Sequence, residues 1–234
     1  MAAAGNKVAL VTGASRGIGA AIAEALAKDG AHVVLTARTA SDLEAVEDRI
    51  HQQGGSATIA PLDLGEQDAI ARLAVALAER WDRLDILVLS AAYLPMLTPV
   101  AHMDPKELGK ALTLNVLATQ ALLAAFDPLL KRSPGGRIVG LTSSVAGAPR
   151  PFWGAYGATK AAFETLLECH GQEVANVSEI RVAIVDPGAT RTAMRARAFP
   201  GEDPAALKTP EVVGTRIAEL LRTDFGHNHR ERLD

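Results

Sequence analysis

Short apolar runs alternate with longer stretches of helical periodicity along almost the whole chain. Lys7–Val11, His32–Thr36, Ser56–Ala60, Leu84–Leu89, Arg137–Thr142 and Ile180–Val185 read as strands. Gly17–Lys28, Ser41–Gln53, Gln67–Arg80, Pro105 to about Lys131, Gly154–Asn176 and Pro210–Arg222 read as helices. Ser41 with Glu44, and Asp104-Pro105 with Glu107, carry the spacing of a helix start at which side chain and backbone cap each other. Asp29-Gly30, Pro134-Gly135-Gly136 and Asp186-Pro187-Gly188 punctuate the pattern. Strand alternating with helix predicts an α/β protein: one doubly wound, mostly parallel sheet flanked by helices, with right-handed crossovers, as a single domain over residues 1–234. After Arg222 the polar run GHNHRERLD supports a weak closing strand or none.

Composition sharpens this picture. Hydrophobic residues make up 48% of the 234 but aromatics only 4%, so Ala, Val, Leu and Ile must fill the core, as suits parallel strands buried on both faces. A net charge of -3 without blocks of one sign argues against a nucleic-acid partner or an acidic tail. The single cysteine, Cys169, excludes an internal disulfide and a cysteine-rich metal site and reads as a small apolar helix residue. His102, His170, His227 and His229 lack metal-ligand spacing, and the last two read as solvated tail, so no metal is expected. The opening MAAAGNKVALVTG has no basic segment leading into a long apolar core, and no uninterrupted apolar run nears ~20 residues. A soluble, cytoplasmic protein with no membrane partner is expected.

Candidate chemistry lies in GLTSSVAGAPRPFWGAYGATKAAFETLL. Tyr156 and Lys160 are four apart at the head of a predicted helix, which sets a phenol and an ammonium on one face. A nearby cation favours phenolate, so the spacing predicts a phenol pulled below its usual value and able to serve as acid or base. Ser143 ends a predicted buried strand, at the edge where open α/β sheets bind ligands, and its hydroxyl can bond a substrate oxygen. The turn after the first strand reads Thr12-Gly13-Ala14-Ser15-Arg16-Gly17-Ile18-Gly19. Glycines between a strand and a helix permit a tight turn and bring the helix N-terminus close to a pyrophosphate.

Together, the TGxxxGxG turn, Ser143, Tyr156 and Lys160 resemble the single-domain type of the short-chain dehydrogenase/reductase family. The resemblance extends to Asp63, to Asn115 in LTLNV, and to Pro187-Gly188 followed by Thr192, and so covers nearly the whole chain. It implies a Rossmann-type fold and an oxidoreductase that interconverts a ketone or aldehyde and an alcohol by hydride transfer. Tyr156 would be the general acid/base, Ser143 would stabilise the oxyanion, Lys160 would also bind the nicotinamide ribose, and Asn115 would hold a water of the proton relay. The implied cofactor surface is Gly13, Ser15, Arg16, Gly17, Ile18 and Gly19 in the turn; Arg38, Asp63 and Leu64 after the next strands; Ser90 and Ala91; and Pro187, Gly188, Thr190 and Thr192 with Tyr156 and Lys160. Leu89-Ser90-Ala91-Ala92 replaces the family's Asn-Asn-Ala-Gly and is expected to be tolerated. A homodimer or homotetramer follows by analogy alone.

The position at the end of the second strand where an acid would bond the ribose of NAD is Ala37. Arg38 beside it and Arg16 in the turn instead offer guanidinium groups to a 2'-phosphate, which predicts NADP(H) over NAD(H). Phe152 and Trp153 are expected to border the site, and Tyr93, Leu94, Met96, Trp153, Met194 and Phe199 in the surrounding loops predict an apolar substrate pocket. Residues 191–209 read as a lid, in which Arg191, Arg195 and Arg197 would either favour an acidic substrate or form an exposed face. The alternatives are a catalytically silent nucleotide-sensing protein on the same fold, or an epimerase or dehydratase. The intact Ser143, Tyr156, Lys160 and Asn115 set weighs against the first, and the glycine spacing and chain length against the second.

Overall fold

The computed structural model describes residues 7–233. Met1–Asn6 of the opening stretch lie outside the described residues. A strand that is apolar at every position needs cover on both faces, and the sheet supplies it. β1 (Val8–Thr12), β2 (His32–Thr36), β3 (Ser56–Ile59), β4 (Ile86–Leu89), β5 (Arg137–Leu141), β6 (Arg181–Asp186) and β7 (Asn228–Arg232) form one sheet in the order 3-2-1-4-5-6-7. Every neighbouring pair is parallel. Alternation splits the core into two layers. Ala9 and Val11 join Ile22 of α1 (Gly17–Lys28), Leu43 of α2 (Ala40–Gln52) and Ile217 of α8 (Pro210–Arg222). Val8 and Leu10 face the opposite layer, with Ile70 of α3 (Gln67–Arg80) and, on the helices named next, Phe126 and Phe163.

That second layer carries α4 (Pro105–Leu112), a wide π turn (Thr113–Leu117), α5 (Ala118–Lys131) and α6 (Gly154–Val174). Asp104 caps α4 as its sequence predicts, accepting from Lys106 N at 2.8 Å. The continuous helical run Pro105–Lys131 is by length and composition apolar enough to span a bilayer. Its apolar residues are interrupted by Asn115, buried and bonded inward, and its inner face packs on the sheet layer. α6 approaches β5 very closely: a Cβ at Gly140 would lie 2.2 Å from Leu167 Cδ1, so the strand that leads to Ser143 and the helix carrying Tyr156 are held together at a site that has no room for a side chain.

Four expectations need correction. Thr39, not Ser41, precedes the first turn of α2, and no side chain caps it. β4 begins at Ile86, because Leu84 and Asp85 serve as a joint: Asp85 accepts from Val8 N at 2.9 Å and from Ser133 Oγ at 2.6 Å. The closing strand forms in full as β7, paired to β6 from Val182–Asn228 to Asp186–Arg232. Its ion pairs, Arg216–Glu231 and Arg230 with Glu164 and Glu168, fix a polar edge strand that burial alone would leave loose. His229 is therefore half-buried in a strand and His227 bonds the Ile180 carbonyl at 3.1 Å; neither is a solvated tail. Cys169 is exposed on α6.

Candidate active site

At the carboxyl ends of the central strands the first feature is the glycine turn. Gly13 and Gly17 have φ of +66° and +58°, a region that favours glycine. A Cβ on Gly19 would lie 2.2 Å from the Gly13 carbonyl oxygen, so the turn closes on itself with no space for a side chain. Thr12 ties this turn to β4: its Oγ1 donates to Val88 O (3.1 Å) and accepts from Ser90 N (3.0 Å) and Ala91 N (3.1 Å). The Ser90 and Ala91 amides are thus spent on the scaffold, and the replacement of the family's two asparagines leaves the junction bonded. Thr12 stood inside the motif without an assigned role.

The α1 N-terminus has no side-chain cap, so its first-turn amides are open to an anion. Ala14 N donates to Thr36 O at 3.2 Å, joining the turn to the end of β2; Arg16 and Arg38, each two residues beyond that bond, are both exposed on this edge. Ser15 and Ile18 are half-buried in the turn. Asp63 is exposed and accepts from Gly65 N at 2.8 Å, while Leu64 is buried. After β6, Asp186 accepts from Gly188 N at 3.0 Å, Thr190 Oγ1 donates to Pro187 O at 3.1 Å, and Thr192 caps α7 (Ala193–Ala198) by accepting from Arg195 N at 3.1 Å. Thr192 also lies against Gly17, with its Cγ2 3.5 Å from the position of a Cβ there. The structure therefore brings the ends of β1, β4 and β6 to one edge of the sheet.

Tyr156 and Lys160 lie one turn apart on α6, both buried. Lys160 Nζ donates to Leu141 O at 2.7 Å and sits 4.3 Å from the Phe163 ring centroid and 5.9 Å from that of Tyr156. Burial pushes the ammonium down to about 8, opposed by Glu164. Burial, aided by the negative charge of Asp186, holds the phenol above its ordinary value. The expected lowering of Tyr156 by its cation is thus reversed in this structure: loss of solvent and the Asp186 charge both raise the phenol, while the Lys160 ammonium is anchored on the Leu141 carbonyl. Ser143 is half-buried two residues after β5.

Asn115, in the π turn, is fully bonded: its Oδ1 accepts from Tyr93 N (2.7 Å), and its Nδ2 donates to Tyr93 O (2.9 Å) and Thr159 Oγ1 (2.9 Å). Thr159, in the sequence YGATK but unassigned there, links that asparagine to α6.

Leu94, Val145 and Tyr156 make a small apolar cluster against which Trp153 and Met194 pack. Trp153 meets Tyr156 edge-on and stacks on Phe199, with centroids 6.1 and 5.7 Å apart. Met96 and Phe152 do not join: they are 76% and 55% exposed, and Phe152 has a left-handed backbone (φ +72°). Tyr93 contributes less than expected to the mouth, because its hydroxyl is bonded to Glu107. The arginines expected to line a lid have internal partners: Arg195 forks onto Glu202 with two 2.6 Å bonds and lies over Phe199, and Arg197 donates to Leu94 O. A bridge between Thr190 and Lys208 closes the base of this segment.

With that geometry in hand, comparison with known proteins is direct. Residues 7–203 match the family model of the short chain dehydrogenases. The Escherichia coli K12 oxidoreductase YciK is 38% identical over 88% of this chain and 82% of its own length. A short chain dehydrogenase from Pseudomonas syringae superposes with a TM-score of 0.93 at 36% identity, covering 97% of this chain and 94% of that one. One from Shigella flexneri, solved with NADP, gives 0.92 at 34% identity over 97% of each chain. The chain belongs to the short-chain dehydrogenase/reductase family of oxidoreductases.

Proposed function

We propose that the protein is an NADP(H)-dependent reductase that converts a ketone or aldehyde to an alcohol, and the reverse, with Tyr156 as the group that moves the proton. The observation that carries this reading is the buried pair Tyr156 and Lys160, one turn apart on α6 beside the half-buried Ser143.

The glycine turn fits a dinucleotide: its backbone is too close for any side chain, and it ends in uncapped helix amides that suit a pyrophosphate. Arg16 and Arg38 would hold the 2'-phosphate; relatives solved with NADP or NADPH support that preference. When bound, the cofactor supplies the hydride. The chain's own residues do the rest. Ser143 Oγ bonds the carbonyl oxygen, and Tyr156, held protonated by burial, delivers its proton to that oxygen as negative charge develops there. Lys160 stabilises the phenolate left behind, and Asn115 fixes the loop at Tyr93 against α6. The lid packs Met194 and Phe199 at the mouth and excludes water.

An acidic substrate gains little from Arg195 and Arg197, which already have internal partners, so the reading favours an uncharged apolar carbonyl compound. Self-association through the α4–α5 face would cover Leu112 and Leu117, which are 40% and 48% exposed. The test is Tyr156→Phe. NADPH binding by fluorescence titration should persist while carbonyl-dependent NADPH oxidation falls by about two orders of magnitude or more. Retained turnover would remove Tyr156 from the acid/base role.

A further inference from the structure

Three consecutive residues at the end of β5 each hold a different part of the site. The Leu141 carbonyl takes the ammonium of Lys160 (2.7 Å), the Thr142 hydroxyl donates to Glu164 Oε1, and Ser143 follows. Glu164 lies on α6 one turn beyond Lys160, so Tyr156, Lys160 and Glu164 form one stripe along the helix. The other oxygen of Glu164 accepts from Arg230 Nη2 at 2.8 Å, and Arg230 Nε also reaches Glu168 at 2.8 Å. Only 12% of the Glu164 side chain is exposed. Its two oxygens are therefore pinned from opposite sides, by the strand that leads to Ser143 and by the edge strand β7.

We propose that Glu164 is a positioning residue for the catalytic pair: clamped between Thr142 and Arg230, it sets the charge environment of Lys160 and couples the C-terminal strand to the active site. This rests on the reading of Tyr156 and Lys160 given above. Glu164 opposes the desolvation of Lys160, Asp186 acts on Tyr156, and Arg230, shared with Glu168, partly neutralises Glu164. A carboxylate in this place favours the ammonium over the amine, and a fixed carboxylate does so constantly. A purely structural glutamate would tolerate glutamine, which keeps an acceptor for Thr142.

The test reads the lysine itself and needs neither substrate nor cofactor. In protein labelled with ¹³C and ¹⁵N at lysine, the Lys160 signal is assigned by its loss in Lys160→Arg, and its titration is followed by NMR. The wild-type group should titrate near pH 8. Glu164→Gln should lower that midpoint by about half a pH unit or more, whereas Glu164→Asp, which keeps the charge, should stay closer to wild type. Arg230→Ala, which removes the neutralising cation, should raise it. An unmoved midpoint in Glu164→Gln, or an unmoved or lowered one in Arg230→Ala, overturns the proposal; the second arm remains readable if the glutamine variant fails to fold. In turnover assays the alkaline limb of kcat/KM should move to lower pH in Glu164→Gln. Absence of turnover in the wild type would sink the proposed function but leave the Lys160 titration interpretable.

Discussion

Asn115 Nδ2 donates to Thr159 Oγ1 at 2.9 Å, and that hydroxyl donates in turn to the carbonyl oxygen of Tyr156 at 2.8 Å. The loop after β4 is thereby tied to α6, the helix carrying Tyr156 and Lys160, through two fully buried side chains. Thr159→Val keeps the shape and deletes the link, leaving one N–H of Asn115 without a partner. The expected cost is about 1–3 kcal/mol, a fall in Tm of roughly 2–12 °C. Thr159→Ser should recover most of it in thermal melts, and a valine variant that melts with the wild type would show that the bond contributes nothing.

Lys160 is held at a cost to the fold. Its folded value near 8 lies below the ordinary 10.5, so between those values the unfolded chain binds more protons and stability rises with pH. The raised Tyr156 acts oppositely above pH 10, where the unfolded phenol ionises first, which leaves pH 8 to 10 as the clean window. Lys160→Met should therefore stabilise the protein at pH 7 by about 2 kcal/mol, the desolvation penalty less one lost hydrogen bond, while abolishing turnover. Urea denaturation at pH 7 and at pH 9.5 should show the wild type gaining stability with pH and the methionine variant gaining less.

Gly19→Ala should weaken NADPH binding by about tenfold or more, because the new Cβ would meet the Gly13 carbonyl oxygen at 2.2 Å and force the turn open. Gly109, in α4, has nothing within 4 Å of its added Cβ. Gly109→Ala should leave the affinity unchanged and stabilise the protein by about 0.5–1 kcal/mol. Fluorescence titration and melting of the pair separate the two roles of glycine.

Arg16→Ala and Arg38→Ala should each weaken NADPH binding by roughly tenfold to a hundredfold, the scale of one charged hydrogen-bonding group, and leave NADH binding nearly unchanged. Equal losses for both nucleotides would place the arginines elsewhere than at the 2'-phosphate.

The segment proposed as a lid is pinned by the fork between Arg195 and Glu202. Glu202→Gln should release it, and limited trypsin digestion should then cut faster after Arg195 and Arg197 than in the wild type. Unchanged cleavage would mean that the stack of Phe199 on Trp153 suffices.

Much of this was legible in the residue pattern. Apolar runs announce strands buried on both faces, and the glycine turn and the Tyr156–Lys160 spacing declare themselves because backbone geometry and helix period leave few alternatives. β7 was faint for a physical reason: Asn228–Arg232 carries no apolar stripe, and ion pairs from Arg216, Glu164 and Glu168 hold it. Local spacing also misplaced the cap of α2 and, more importantly, the direction of the Tyr156 shift. The i,i+4 rule gives proximity of a cation but not the loss of water, which is a property of the assembled core. The partners of Arg195, Arg197 and Tyr93 were likewise invisible, since each is chosen by loops that meet only after folding.

The π turn at Thr113–Leu117 has a consequence for how this chain can vary. Such a turn holds one residue more than an α-helix does over the same rise, and each residue of an α-helix advances it by about 100°. Deleting one residue there would restore a regular helix and keep Leu122, Phe126 and Leu129 of α5 turned to the sheet, but Asn115 would lose its place at Tyr93. Substitutions along this helix are absorbed one side chain at a time. A change in length within α5 itself rotates every side chain downstream by about 100°, so the packing should tolerate a lost residue only inside the wide turn, where the loss falls on Asn115.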